Sequence, residues 1–213
     1  MQFSVRAIAA LVAAPLLALS AGFAAPAAAA EPATATAVLA GGCFWGMEEV
    51  FESLNGVTNV VSGFAGGTKD TAHYEAVSTG STGQAESVEI TYDPSRISYH
   101  QLLDVYFTVA HDPTQLNRQG PDEGTQYRSA IFYADARQQH EALSFIAKLT
   151  QEKKFPAPIV TQVVVLHGFY PAEAYHQHYA RLHPSDPYIV YNDAPKVEAL
   201  KRLFPNLVAK SLN

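Results

Sequence analysis

Two spacings of apolar residues alternate along the chain. Residues 36–40 are short and mostly apolar and predict a strand, closed by Gly41-Gly42. Phe44, Met47, Val50, Phe51 and Leu54 then recur at helical spacing from Cys43 to the stop signal Asn55-Gly56. The β-branched stretch 57–64 runs into Ala65-Gly66-Gly67, and 87–92 alternates Val88, Ile90 and Tyr92 with polar neighbours before Asp93-Pro94, so both predict strands. Over 98–110, Leu102, Leu103, Val105, Tyr106 and Val109 share a helical face, with Ser98 as the N-cap. The pattern continues with a strand at 130–133, a helix at 136–149, a β-branched strand at 159–166, a helix from Pro171, a loop through Pro184, Asp186-Pro187 and Asn192-Asp193, and a last helix at 196–204. Helices and strands interleave without strict βαβ repetition, and strands 57–64 and 87–92 follow each other with no clear helix between them. That order predicts an α+β two-layer sandwich with a mixed sheet rather than a doubly wound parallel fold.

The first thirty residues follow a different pattern. Arg6 is their one charge; an apolar run over 7–19 is interrupted by Pro15 and gives way to a small-residue tract ending Ala28-Ala29-Ala30. This is the layout of a secretory signal peptide, and it falls short of the roughly 20 unbroken apolar residues of a membrane anchor. The expected organisation is a signal peptide at 1–30, a short disordered lead at 31–35 and a single catalytic domain over 36–213, exported to the periplasm.

Charge and cysteine usage narrow the functions. With 14 Lys+Arg against 20 Asp+Glu, a net charge of −6 and no basic run, the footprint of a nucleic-acid or polybasic membrane binder is missing. One cysteine cannot form an intramolecular disulfide or a zinc site of several thiolates. Cys43 sits in Gly41-Gly42-Cys43-Phe44-Trp45-Gly46, beside the only tryptophan. At the first turn of a helix its thiolate is favoured by unpaired N–H groups and the helix dipole, which predicts a lowered pKa.

That hexapeptide resembles the signature of the A-class peptide methionine sulfoxide reductases. Four further stretches agree with the family in order and spacing: Thr79-Gly80-Ser81-Thr82-Gly83-Gln84-Ala85-Glu86, His111-Asp112-Pro113, the run from Arg118-Gln119-Gly120 through Gln126-Tyr127-Arg128-Ser129, and Ala172-Glu173-Ala174-Tyr175-His176-Gln177. The resemblance spans about 37–205 and implies a ferredoxin-like sandwich and reduction of methionine S-sulfoxide, free or peptide-bound. It assigns the nucleophile to Cys43, the general acid to Glu86, the methyl-receiving wall to Phe44 and Trp45, the hydrogen bonds to the sulfoxide oxygen to Tyr74 and Tyr127, and an orienting carboxylate to Asp122. It implies no cofactor and no metal.

Many members carry further cysteines near the C-terminus, and this chain has none, so it resembles the single-cysteine type. Its Cys43 sulfenic acid must then be reduced by an external thiol, either a thioredoxin-like or glutaredoxin-like protein or a small thiol such as glutathione. The expected state is a monomer without nucleic-acid or stable membrane association. Gln84 stands where the family more often has His, which bears on hydrogen bonding in the pocket. The rival reading is a Cys/His hydrolase using Cys43 with His111 or His176. A metal module built on His176, His178 and His183 is disfavoured, because helical positions two apart face different ways.

Overall fold

A computed structural model of the chain describes residues 1–2 and 34–209. The signal segment expected at 1–30 therefore lies, beyond its first two residues, outside the described part. The described fold runs β1 (Ala35–Ala40), α1 (Phe44–Glu52), β2 (Val57–Ala65), a one-turn α2 (Tyr74–Val77), β3 (Ala85–Tyr92) and α3 (Tyr99–Val105). It continues with β4 (Arg118–Gln119), β5 (Asp122–Glu123), β6 (Ala130–Tyr133), α4 (Ala136–Gln151), β7 (Gln162–Val165), β8 (Phe169–Pro171), α5 (Tyr179–Leu182) and α6 (Ala194–Leu203). Ala35, inside the stretch expected to be a loose lead, already pairs with Tyr92 in the sheet.

Six strands form one sheet in the order β7-β6-β1-β3-β2-β8. All neighbours are antiparallel except β6 and β7, which makes the sheet mixed, as the sequence pattern predicts. Alternation along the strands sorts the two faces. Leu39, Val88, Ile90 and Ile131 join Met47, Val50 and Phe51 of α1, Leu102 and Leu103 of α3, and Phe145 and Leu149 of α4 in one core. The opposite face carries the smaller set Val38, Ala40, Ala65, Ala85, Ala130 and Phe132, against which Leu166 and Phe169 pack.

Local chemistry sets the helix starts. Ser98 Oγ accepts from the Gln101 N–H (3.2 Å) while Gln101 Oε1 accepts from the Ser98 N–H (2.9 Å), a reciprocal capping box on α3. Asp135 Oδ1 caps α4 by accepting from the Gln138 N–H at 2.8 Å. Asn55-Gly56 ends the α1 region as expected, with Gly56 at φ 103°.

Three expected elements differ, the first being the loop expected through Asn192-Asp193, whose end is a π-helical turn (Ile189–Asp193) that runs directly into α6. The strand expected over 159–166 is shorter, Gln162–Val165, an edge strand paired only with β6. The helix expected from Pro171 is instead β8, a 3-10 turn (Ala174–His176), a left-handed residue at His178 (φ 56°) and the single turn α5. Tertiary bonds override the helical pattern there: Gln177 Nε2 donates to Ser62 O (2.9 Å) and Ala172 O (3.0 Å), and its Oε1 accepts from the Ser62 N–H (3.0 Å). The segment is thereby fastened to β2.

Candidate active site

The site lies where β1 hands over to α1. Leu39 pairs with Val88, so two residues earlier on β3 Glu86 comes level with the turn that follows β1. Tyr106 Oη donates to Ala40 O (2.8 Å) and fixes the strand end. The turn itself needs glycine: Gly42 has φ 96°, and a Cβ built there would stand 2.6 Å from Gln119 Cβ. Gly42→Ala therefore combines left-handed strain with a clash against the β4-β5 hairpin, and we expect it to cost about 1–3 kcal/mol or more in urea unfolding. Cys43 is the N-cap of α1 and is nearly buried.

Above the cysteine lies a cavity of about 200 Å³ lined by Cys43, Phe44, Trp45, Tyr74, Glu86, Asp122, Tyr127 and Tyr188. All seven residues assigned from the sequence meet in it. Tyr188 is the addition: its hydroxyl donates to Asp122 Oδ2, and its ring meets Trp45 edge-on at 5.9 Å. Nothing in the spacing singled it out among eleven tyrosines.

Each lining side chain has its own support. Glu86 is 3% exposed, and its Oε2 accepts from the Phe44 N–H at 3.1 Å, so the carboxyl is tied to the peptide next to the nucleophile. Trp45 stacks on Tyr179 (3.8 Å between centroids, 13° between planes) and donates from Nε1 to His176 Nδ1 at 3.2 Å. The Tyr74 N–H donates to Glu173 Oε1 (2.9 Å), and its ring lies 4.4 Å from that of His176. Asp122 sits on β5 of a hairpin anchored by Gln119, whose amide bonds the Asp112 N–H and carbonyl, each at 3.1 Å. Tyr127 ends a 3-10 turn held by Arg128, which donates to Gln84 O (2.9 Å), Thr125 O (2.8 Å) and Gly83 O (2.8 Å).

The electrostatics split the expectation for Cys43. The Trp45 N–H of the helix terminus does lower its pKa, as the dipole argument predicts, and so does Lys196. Burial and the neighbouring carboxylates Glu86 and Asp193 outweigh them, and the thiol is pushed well above its ordinary value. The lowered pKa read from the helix position is thus corrected to a raised one. Glu86 behaves as expected: burial pushes it up to about 8 against the opposing Phe44 hydrogen bond. Burial and Glu86 also raise Tyr74 and Tyr127, so both phenols stay protonated donors.

Other sequence candidates fall elsewhere. Gln84 does not line the pocket; it braces the Gly66-Gly67 turn, accepting from the Gly67 N–H (3.1 Å) and donating to Thr68 O (2.8 Å). His111 is a poor base for a hydrolase: its Nδ1 meets Tyr106 O (2.9 Å), its Nε2 meets Ser129 Oγ (2.7 Å), and burial lowers it to about 4. His176 accepts from the Trp45 indole and is lowered by burial, which keeps it neutral. Both candidate bases of the rival reading are thus committed to structure.

The family model described as peptide methionine sulfoxide reductase matches residues 35–207. A peptide methionine sulfoxide reductase MsrA 2 from Mesorhizobium japonicum is 59% identical over 181 residues, covering 85% of this chain and 93% of the relative. One of the same name from Synechocystis is 47% identical over 80% of each chain. Among solved structures, reduced Mxr1 from Saccharomyces cerevisiae aligns with a TM-score of 0.68 at 34% identity, over 72% of this chain and 87% of that one. Methionine sulfoxide reductase A of Corynebacterium diphtheriae aligns at 0.64 and 35%, over 74% and 78%.

Proposed function

Because this chain belongs to the peptide methionine sulfoxide reductase family and reduces methionine sulfoxide, we propose that Cys43 takes the sulfoxide oxygen and Glu86 supplies the proton. The observation that carries the assignment is the placement of a buried, proton-holding carboxyl on the peptide N–H adjacent to the only cysteine. The Cys43 thiolate attacks sulfur, Glu86 delivers a proton to the oxygen, and the products are methionine and a Cys43 sulfenic acid. Sulfur of the substrate is reduced by two electrons and sulfur of Cys43 oxidised by two. Protonating Glu86 also removes one of the negative charges that raise the thiol, so acid and thiolate belong to the same productive state.

The methyl group is received by Phe44 and Trp45, the latter held by stacking on Tyr179 and bonding to His176. Tyr74 and Tyr127 donate to the oxygen, and Asp122 orients Tyr188 at the rim. With no second cysteine in the sequence, regeneration uses two equivalents of external thiol. The first converts the sulfenic acid to a mixed disulfide with loss of water, and the second releases Cys43 as thiol. The reading further places these residues on a ferredoxin-like βαββαβ unit, supported by the strand order β6-β1-β3-β2 with α1 and α3 as the connecting helices. We read the chain as an exported repair enzyme, supported by the Arg6-led apolar segment before Glu31, and as a monomer.

Steady-state turnover of a peptide carrying either sulfoxide epimer, with dithiothreitol as the thiol, tests the substrate assignment. We expect the S epimer to be converted to methionine and the R epimer to be recovered unchanged. Equal consumption of both, or of the R epimer alone, would overturn it.

A further inference from the structure

Away from the sulfoxide pocket, α1 and the His178 corner build a cluster that the reaction does not use. Glu48, Glu52 and His178 each direct one ligand atom to a common point, all within 4.8 Å of one another, and no other such group exists among the described residues. Glu48 is 1% exposed, yet its Oε1 has no hydrogen-bond partner. Its other oxygen is fully engaged, accepting from Ser62 Oγ (3.1 Å) and from the His178 N–H (2.8 Å). Glu52 is divided in the same way: Oε2 faces Arg181 Nε at 3.9 Å, and Oε1 turns to His178.

His178 Nδ1 lies 2.6 Å from Glu52 Oε1 and 3.5 Å from Glu48 Oε1 without the alignment of a hydrogen bond to either. The buried Glu48 Oε1 without a hydrogen-bond partner faces the Glu52–His178 ion pair, and a small cation can enter between the three once that pair opens to the spacing of about 3.4 Å that two ligands on one ion require. One imidazole and two carboxylates, carrying two negative charges between them, match a divalent ion of the zinc type, whose ligands stand about 2.1 Å from it. A cavity of about 340 Å³ bordered by Glu52, Val57, Asn59 and His178 opens beside the cluster and leaves room for water to complete the coordination.

We propose that Glu48, Glu52 and His178 form a binding site for a divalent transition-metal ion, zinc being the reference ligand. The histidine set weighed from sequence is thereby replaced: His176 is turned to Trp45, and His178 pairs with two glutamates of α1 instead. The location gives the ion a mechanical role. It clamps α1, whose N-terminus carries Cys43, to the corner two residues after His176, which holds the Trp45 wall.

The test is zinc titration of the full chain by calorimetry in a Cys43→Ser background, which removes the one competing thiolate. Expected is one zinc per chain, with binding at least tenfold weaker in Glu52→Gln and in His178→Asn and with a zinc-induced rise in melting temperature that both variants lose. Asparagine suits the left-handed backbone at 178, so that variant keeps the corner folded. Absence of zinc binding at pH 7.5, or equal affinity in both variants, would overturn the site.

Discussion

Glu86→Gln is expected to slow the first turnover by about 10²- to 10⁴-fold, the usual contribution of a positioned general acid. The amide still accepts from the Phe44 N–H, so the pocket keeps its shape while losing the proton. Because ionised Glu86 is among the charges that raise Cys43, the same substitution should make the thiol more reactive toward iodoacetamide above about pH 8, where the parent's carboxyl has lost its proton. Faster alkylation with slower reduction separates loss of the acid from general damage to the site. The stability consequence has a definite sign. Between the ordinary carboxylate range and about 8 the folded state retains a proton that the unfolded chain has lost, so stability falls as pH rises through that window. Glutamine carries no such penalty. Urea unfolding should therefore show Glu86→Gln gaining on the parent from pH 5 to pH 9, by a few kcal/mol at about 1.4 kcal/mol per pKa unit. A variant that loses both activity and stability across this range would mean that Glu86 serves packing instead.

Cys43→Ser is expected to reduce sulfoxide conversion to the rate of the thiol reagent alone. The hydroxyl is a hard, weak nucleophile toward sulfur, and no other cysteine can take over. Nearly isosteric with the thiol, serine should leave the melting curve within about 1 kcal/mol of the parent. Residual turnover above the reagent rate, measured with dithiothreitol and the S epimer, would assign the oxygen transfer to another group.

Sequence patterning reached the architecture because most elements are decided locally or by which face is buried. Val38 and Leu39 alternate across β1 as written, and the Ser98 capping box is spelled out in four residues. It failed where tertiary bonds prevail: residues 171–178 have helical composition, but Gln177 and Glu48 hold that backbone against β2 and α1 in a form no helix can take. β8 and the β4-β5 hairpin, at two or three residues per strand, are too short for any periodicity to register.

For the site, motif order was enough to gather Cys43, Phe44, Trp45, Tyr74, Glu86, Asp122 and Tyr127. The supports were hidden because they come from other parts of the chain. Asp193, 0% exposed, is a case in point: a Cβ on Gly46 would stand 2.0 Å from its Oδ1, so that glycine admits a charge which then acts on Cys43. The same missing information reversed the expected direction of the Cys43 pKa. A helix terminus is visible in sequence, whereas the burial and the two carboxylates that outweigh it appear only in three dimensions.

The central claim is that Cys43 itself receives the oxygen, and a single turnover without any reductant addresses it most directly. The full chain is mixed with excess S-epimer peptide, methionine is quantified, and Cys43 is followed by dimedone labelling and intact mass. The account predicts about one methionine per chain and a dimedone adduct confined to Cys43. Methionine absent and the thiol unmodified, or methionine formed with Cys43 still reduced, would contradict it.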